Sequence, residues 1–311
     1  MKHVLGIDVG GTKILIGLLS HDGQILYSKK YAMRRDTQQN AVDTIFSAVD
    51  DFLALLKDNN YPAPESIGMG TVGHIDYENG IWIQSYNIPI STPVPIADIW
   101  KEKYGLQTYL DNDVHCATLG ESHFGHGKET KCMIYVNVGT GISAGVVHHG
   151  MLIRGADNYA GEIGFMYMNC ESDHGVLEPI ASGGGLIQQA KKMLPQCPNS
   201  ILNQYENEGR LYSSSIFEAA EDGDELAIFL AKRAIEFLGS ALCNLIAIFN
   251  PDALVFGGGV VKEGSLCNKL HEYVLKHCVG ESLKALRYFG LSKLDADKIG
   301  LIGAASLALD K

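Results

Sequence analysis

The sequence predicts an α/β protein of two domains, with duplicated β-meander units and an interdomain cleft. Three observations predict it. The chain has 311 residues, more than one average core organises. A strand, a Gly/Thr turn and a second strand occur twice, at Val4–Leu19 and again at 133–147. The segments between and after these units carry helical spacing. The smaller domain is expected to take residues 1–114 plus 292–311, and the larger one 115–291. No Pro-rich or Ser-rich linker separates them, so they are expected to pack around a shared cleft.

The first unit runs Val4-Leu5-Gly6-Ile7-Asp8-Val9, turns at Gly10-Gly11-Thr12 and returns through 13–19. Asp22-Gly23 turns into a third strand near 24–29. Residues 40–57 place Ala41, Ile45, Ala48, Val49, Phe52, Leu55 and Leu56 at helical spacing. A short buried strand follows at 66–72, then a helix at 95–104. A strand at 107–110 ends on Asp111-Asn112-Asp113 and opens a helical run. The second unit has its turn at Gly139-Thr140-Gly141, and His148-His149-Gly150 leads to its third strand at 151–154. Asp224–Phe249 is a long amphipathic run that Asn250-Pro251 stops. Ala253–Phe256 is a buried strand, Gly257-Gly258-Gly259 a turn before a helix, and 300–305 a closing helix of small residues.

Composition excludes several classes. Hydrophobic residues make 46% and charged residues 20%, as in ordinary globular chains rather than disordered ones. No apolar stretch reaches the length a membrane span needs. The N-terminal apolar run is broken at Asp8, unlike a signal peptide, so a cytoplasmic protein is expected. Seven cysteines (116, 132, 170, 197, 243, 267 and 278) form no C-x-x-C pair, which fits free thiols rather than a disulfide framework or zinc ribbon. Net charge is −11, with no basic block beyond pairs such as Lys29-Lys30, Arg34-Arg35 and Lys191-Lys192. Nucleic acid is not an expected partner. An anion would have to be held locally, by backbone amides and a metal.

The glycine turns suit that task. In Gly10-Gly11-Thr12-Lys13, glycine lets successive N–H groups face an oxyanion, Thr12 adds a hydroxyl and Lys13 a charge. Asp8 beside them is placed to hold Mg²⁺ through water. A hairpin turn that merely needs glycine explains either turn alone. Two such turns at equivalent places in a duplicated unit point to phosphate binding by both. Gly257, Gly258 and Gly259 leave an open backbone surface for adenine or ribose, or else form a tight strand-to-helix turn. None of these is a Walker A or Rossmann pattern.

Asp111-Asn112-Asp113 offers three residues that can cap a helix. The same position suits the carboxylate that takes a hydroxyl proton during phosphoryl transfer, since a helix N-terminus keeps it ionised. Asp113 is the candidate catalytic base. Asn112 can donate to and accept from sugar hydroxyls. Glu162, in Gly161-Glu162-Ile163-Gly164, and Glu178 are further acids that are either functional or plain surface positions.

These motifs resemble the ROK sugar kinases of the actin-like ATPase superfamily. The resemblance covers essentially the whole chain. It rests on Asp8-Val9-Gly10-Gly11-Thr12-Lys13, Asn87-Ile88-Pro89, Asp111-Asn112-Asp113 with Ala117 and Leu119-Gly120-Glu121, Gly139-Thr140-Gly141, Ala160-Gly161-Glu162-Ile163-Gly164, Glu178 with Ala181-Ser182-Gly183, and Gly257-Gly258-Gly259. It implies the two-domain actin-like (ribonuclease H-like) ATPase fold, ATP and Mg²⁺ as cofactors, and a homodimer. It also implies that Asp113 is the base, that Asn87, Asn112, Glu162 and Glu178 bind the sugar, and that the glycine turns bind ATP.

The chain departs from the family in three places. Phe165 stands where many members carry His after Glu-x-Gly. Val72 replaces a usual Pro before Gly73. The segment from Met166 to Glu178 lacks the cysteine-rich zinc loop, holding only Cys170 and His174, so no zinc is expected. The expected reaction is ATP-dependent phosphorylation of the 6-hydroxyl of glucose or a close derivative. N-acetylmannosamine, an amino sugar or a β-glucoside are the alternatives. Beginning the Asp-x-Gly-Gly turn at residue 8 leaves no room for the winged helix of a repressor. A non-catalytic sugar sensor is the alternative of another class.

Overall fold

The computed structural model describes residues 3–168, 175–261 and 265–309. In chain order the elements are β1 (His3–Val9), β2 (Lys13–Ser20), β3 (Ile25–Ala32), α1 (Gln38–Asp58), β4 (Ser66–Thr71), β5 (His74–Asp76), β6 (Ile81–Gln84), α2 (Ile96–Tyr104), β7 (Gln107–Asn112) and α3 (Asp113–Phe124). Then follow β8 (Cys132–Val138), β9 (Ile142–His148), β10 (Met151–Leu152), α4 (Glu178–Ala181), α5 (Gly183–Met193), α6 (Leu202–Asn207), α7 (Ser213–Glu221), α8 (Glu225–Phe249), β11 (Ala253–Gly257), α9 (Ser265–His277), α10 (Gly280–Leu283), β12 (Tyr288–Leu291) and α11 (Ile299–Leu309). Two compact units result. The first comprises Met1–Glu129, Met151–Ala160 and Lys293–Lys311; the second comprises Thr130–Gly150 and Gly161–Ser292. The sequence-based boundary at 114/115 falls inside α3. That helix packs along α11 and stays with the first unit, as does the 151–160 segment.

In the first unit the sheet order is β3-β2-β1-β4-β7. β1 pairs antiparallel with β2 and parallel with β4, and β4 pairs parallel with β7. Alternation along each strand divides the sheet into two faces. Leu5, Ile7 and Val9 join Ile14, Ile16 and Leu18 in a core closed by α1 and by Trp82 and Trp100. Val4, Leu15 and Leu19 on the other face pack on Leu301, Ile302 and Ala305 of α11. Gly6, Gly17 and Gly68 lie on that second face, and α11 comes close enough that a Cβ at Gly68 would overlap the Ala304 carbonyl. α11 in turn carries Gly303 against the Cys116 carbonyl of α3. Both helices are buried nearly all round, so their sequences show no polar stripe.

The second unit repeats the plan with the strands in the order β9-β8-β11-β12. β8 and β9 are antiparallel, and β11 runs parallel to both β8 and β12. Helices α4, α5 and α7 to α9 supply its core, with Leu186, Phe217, Leu230, Leu238, Leu242 and Leu270 buried together. Its long helix α8 starts at the cap Asp224, whose carboxylate accepts from Ala227 N, and stops at Asn250 in the left-handed region before Pro251. The duplication seen in the sequence is therefore a duplication of topology. Ile7-Asp8-Val9-Gly10 and Val136-Asn137-Val138-Gly139 hold the same place, so the acid of the first turn is an amide in the second.

Patterning missed the β5–β6 hairpin and the edge strand β12, too brief to show a period, and gave α4 to α7 no bounds of their own. The helix expected after Gly257-Gly258-Gly259 is α9, described from Ser265. Gly303→Val forces a side chain into the α3 backbone and is expected to cost about 1–3 kcal/mol. That lowers Tm by about 2–12 °C in a melt. Gly280→Ala, where a Cβ meets nothing within 4 Å, leaves Tm unchanged.

Candidate active site

In the first unit the parallel register aligns three strand ends. Asp8 stands across from Gly70 and Gly70 from Asp111; Val9 stands across from Thr71 and Thr71 from Asn112. Ligands of open α/β sheets gather at these carboxyl ends. Asp8 is half-buried with its carboxyl against Gly300, at the first turn of α11. Burial pushes its pKa up to about 6, partly offset by Lys13. A carboxylate raised in this way favours a bound cation, and the residues fit a Mg²⁺ held at Asp8.

Asn112 is the cap of α3. Its Oδ1 accepts from Val114 N at 2.9 Å, and its Nδ2 donates to Gly73 O at 3.3 Å. Asp113 is the first residue of the helix, and its Oδ1 shares the Val114 N–H at 3.0 Å. Capping, the plain reading of this acid, is thus already supplied by Asn112. One amide hydrogen and one lone pair of Asn112 remain for a ligand.

Behind these two residues Asp111 is fully buried. Its Oδ1 accepts from Asn112 N at 2.8 Å, His115 Nδ1 at 3.0 Å and Asn158 Nδ2 at 2.9 Å. Its Oδ2 accepts from Arg154 Nε at 2.9 Å. The Arg154 guanidinium lies 3.6 Å over the Tyr77 ring.

The Gly10–Lys13 turn is closed by Gly10 N to Lys13 O at 2.9 Å. Lys13 reaches Asp297 at 3.8 Å as an exposed pair, worth little in stability. Arg35 is a second cation at the turn. Its Nη1 donates to Asn87 O at 3.1 Å and sits 3.1 Å from where a Cβ on Gly11 would be. Asn87 is exposed, on a turn anchored by buried Ile88 and by the Ser85–Ile90 bridge.

In the second unit Gly139, Thr140 and Gly141 rest on the N-terminus of α5. Gly183 N donates to Gly139 O at 2.8 Å, and Gly184 N to Thr140 O at 3.1 Å. Ser182 caps that helix. Glu178 Oε2 accepts from Ile142 N at 2.8 Å, and its carboxylate fills the space beside Gly141 and Gly164. Glu162 is exposed next to Gly161, whose carbonyl accepts from Ala144 N on β9. Of the three glycines after β11, two have a packing reason. Gly257 faces Tyr135, and Gly258 has φ +94° and would clash with Val138. Gly259 alone opens to free space.

The sequence profile of the ROK family matches residues 4–311. The chain belongs to the ROK family. A glucokinase of Thermotoga maritima is 29% identical over 321 residues, covering 99% of this chain and 98% of that one. A ROK family glucokinase from Streptomyces griseus, solved with glucose and AMPPNP, superposes with a TM-score of 0.79 at 27% identity over 99% of this chain and 100% of that one. A ROK family transcriptional regulator, homolog of the E. coli MLC protein, superposes with a TM-score of 0.87 over 99% of this chain and 78% of its own. At 21% identity that likeness concerns the fold alone. The fold of this ROK protein is the two-domain α/β fold of the actin-like ATPases.

The departures from the family pattern can now be placed. Phe165 ends a single 3-10 turn and is 67% exposed, so its ring is not part of the core. Val72 lacks proline's fixed φ, but its carbonyl accepts the Trp82 indole N–H at 3.0 Å, which holds the loop. Cys170 and His174 lie outside the described residues. Among the described residues no helix is long and apolar enough to cross a membrane. Sequence reading missed Arg35, Arg154 and Asn158, because what marks them is a partner distant in the chain, and it missed His115, whose partner Asp111 lies four residues earlier.

Burial would raise Asp111, but the bonds from His115, Arg154 and Asn158 win and hold its carboxyl below the usual 3.8. Its stabilisation is therefore complete above pH 3.8 and is lost as pH falls through the lower folded-state value. Burial would lower His115, but the bond to Asp111 raises it above 6.5. That contribution is complete below pH 6.5 and is lost as pH rises through the raised value. Asp111→Asn is expected to cost about 3–5 kcal/mol in urea melts at pH 5–6. The deficit shrinks at more acid pH.

Proposed function

We propose that this ROK protein is an ATP-dependent sugar kinase, and that its acceptor is the 6-hydroxyl of glucose or a close derivative. The observation that carries the reading is Asp113. It is a carboxylate at the first position of a buried helix, beside the cap Asn112, on the sheet edge that also holds Asp8. Supporting the choice of sugar are the glucokinases of 27–29% identity that match over the whole chain.

In this reading Asn87, Asn112, Asp113, Glu162 and Glu178 bind the sugar hydroxyls. Glu178 has one oxygen fixed by Ile142 N and the other left for the ligand. The turns at Gly10–Lys13 and Gly139–Gly141 take the ATP phosphates, and Gly257–Gly259 takes the adenosine, chiefly at Gly259. Asp113 accepts the proton of the acceptor hydroxyl as its oxygen attacks the γ-phosphorus. The bond from that phosphorus to the bridging oxygen breaks, and ADP leaves. Mg²⁺ held at Asp8 would offset phosphate charge. Asn137, the equivalent of Asp8 in the second unit, carries no charge for a second ion. The guanidinium of Arg35 adds donors beside Gly11, in a chain whose net charge of −11 otherwise repels ATP.

Mg·ATP with a panel of glucose, N-acetylmannosamine, amino sugars and β-glucosides is expected to release ADP rapidly on one sugar. Asp113→Asn should reduce kcat about 10²–10⁴-fold while leaving sugar affinity and Tm near wild type. Wild-type turnover in that variant would remove Asp113 from the role of base. Arg35→Ala is expected to raise the KM for ATP about tenfold or more, the loss of a charge-assisted contact. An unchanged KM would leave Arg35 without a phosphate. One observation favours a second reading, a sugar sensor without turnover: Phe165 breaks the family pattern where a His is usual. Sugar binding with no ADP release on any sugar would support that reading.

A further inference from the structure

His115 makes no contact that the reaction above requires, yet it is buried one helical turn inside α3 from Asn112 and Asp113. Both of its ring nitrogens face acceptors. Nδ1 lies 3.0 Å from Asp111 Oδ1, and Nε2 lies 3.1 Å from Ala160 O. Neither acceptor can donate, so each nitrogen carries a proton and the ring is an imidazolium. Asp111 Oδ1 in turn accepts the backbone N–H of Asn112 at 2.8 Å. A continuous path therefore runs from the His115 ring through the Asp111 carboxylate to the peptide from which Asn112 and Asp113 project.

The cluster contains one buried anion and two cations, His115 and Arg154. The other elements packed around the ring add little charge: α11 and β4 have no titratable side chain in their described residues. α3 itself contributes Asp113 and Cys116. Asn158 and Arg154 hold Asp111 from the 151–160 segment, while His115 holds it from α3. Among the described residues His115 is the side-chain partner of Asp111 that ties it to the helix bearing Asp113.

We propose that His115 is a positioning residue for the phosphoryl transfer, fixing Asn112 and Asp113 through its Nδ1–H bond to Asp111. This rests on the sugar-kinase reading for its effect on rate, but not for its effect on the backbone. A bond that fixes the base without touching substrate affects kcat rather than KM.

The two amide replacements of histidine separate this role from general packing. Asparagine places its NH₂ where Nδ1 was and keeps the donor to Asp111. Glutamine places its NH₂ where Nε2 was and keeps the donor to Ala160. Expected for His115→Asn is a kcat within about fivefold of wild type. Expected for His115→Gln is a kcat lower by about 10–100-fold, with KM for sugar and ATP within about threefold. Hydrogen exchange of the Asn112 and Val114 amides is measured on the same proteins and does not depend on turnover. Faster exchange in His115→Gln than in His115→Asn supports the inference even where no sugar is phosphorylated, an outcome that would sink only the kinase reading. Equal exchange and equal kcat in the two variants would overturn it. Should His115→Gln fail to fold, His115→Asn alone decides, because a kcat loss above tenfold or loosened Asn112 and Val114 amides would also overturn it.

Discussion

The close approach of α11 to one face of the first unit's sheet is the constraint from which the site follows. That approach needs Gly6 and Gly68 on the strands and Gly303 on the helix, where side chains would meet backbone, and Gly17, where one would meet the Leu301 side chain. Nothing in a hydrophobic core requires such closeness. Larger residues on both surfaces would pack a helix at the usual 8–10 Å. The closeness lets α11 lie against α3 and brings Gly300 onto the carboxyl of Asp8. The same helix thus backs the candidate base and desolvates the candidate cation ligand. The pKa of about 6 at Asp8 is the electrostatic trace of that packing.

A second constraint is polar. Three helix-breaking tendencies meet at Asp111-Asn112-Asp113, since each of these side chains can bond its own backbone. They are separated by assigning one task to each. Asp111 is buried and accepts four hydrogen bonds, from Asn112 N and from His115, Arg154 and Asn158, which converge on it. Asn112 caps the helix. Asp113 is the first residue of the helix, and its Oδ1 shares the Val114 N–H. In the second unit a comparable economy holds Glu178, where one oxygen organises the start of β9 and the other does not.

Much of this was legible in the sequence, for physical reasons that differ by element. The duplicated meanders were visible because strand alternation and glycine turns are local, and α1 and α8 because their apolar spacing runs for many turns. The candidate acids and glycine turns could be singled out because phosphate and sugar chemistry demand few residue types. What could not be read depends on distant partners. No local signal couples Arg35 to Asn87, or Arg154 to Asp111. The boundary at 114 failed to follow α3 because α3 is held by α11, almost two hundred residues away in the chain. The triple glycine misled in part, since Gly257 and Gly258 answer to Tyr135 and Val138 and only Gly259 is open.

The most direct measurement is to follow the γ-phosphate of ATP by ³¹P NMR in the presence of Mg²⁺, the protein and glucose. A kinase acting through Asp113 converts that resonance into a sugar phosphomonoester in step with ADP, and Asp113→Asn does not. Release of inorganic phosphate alone, or unchanged ATP while glucose and the other sugars bind, would contradict it.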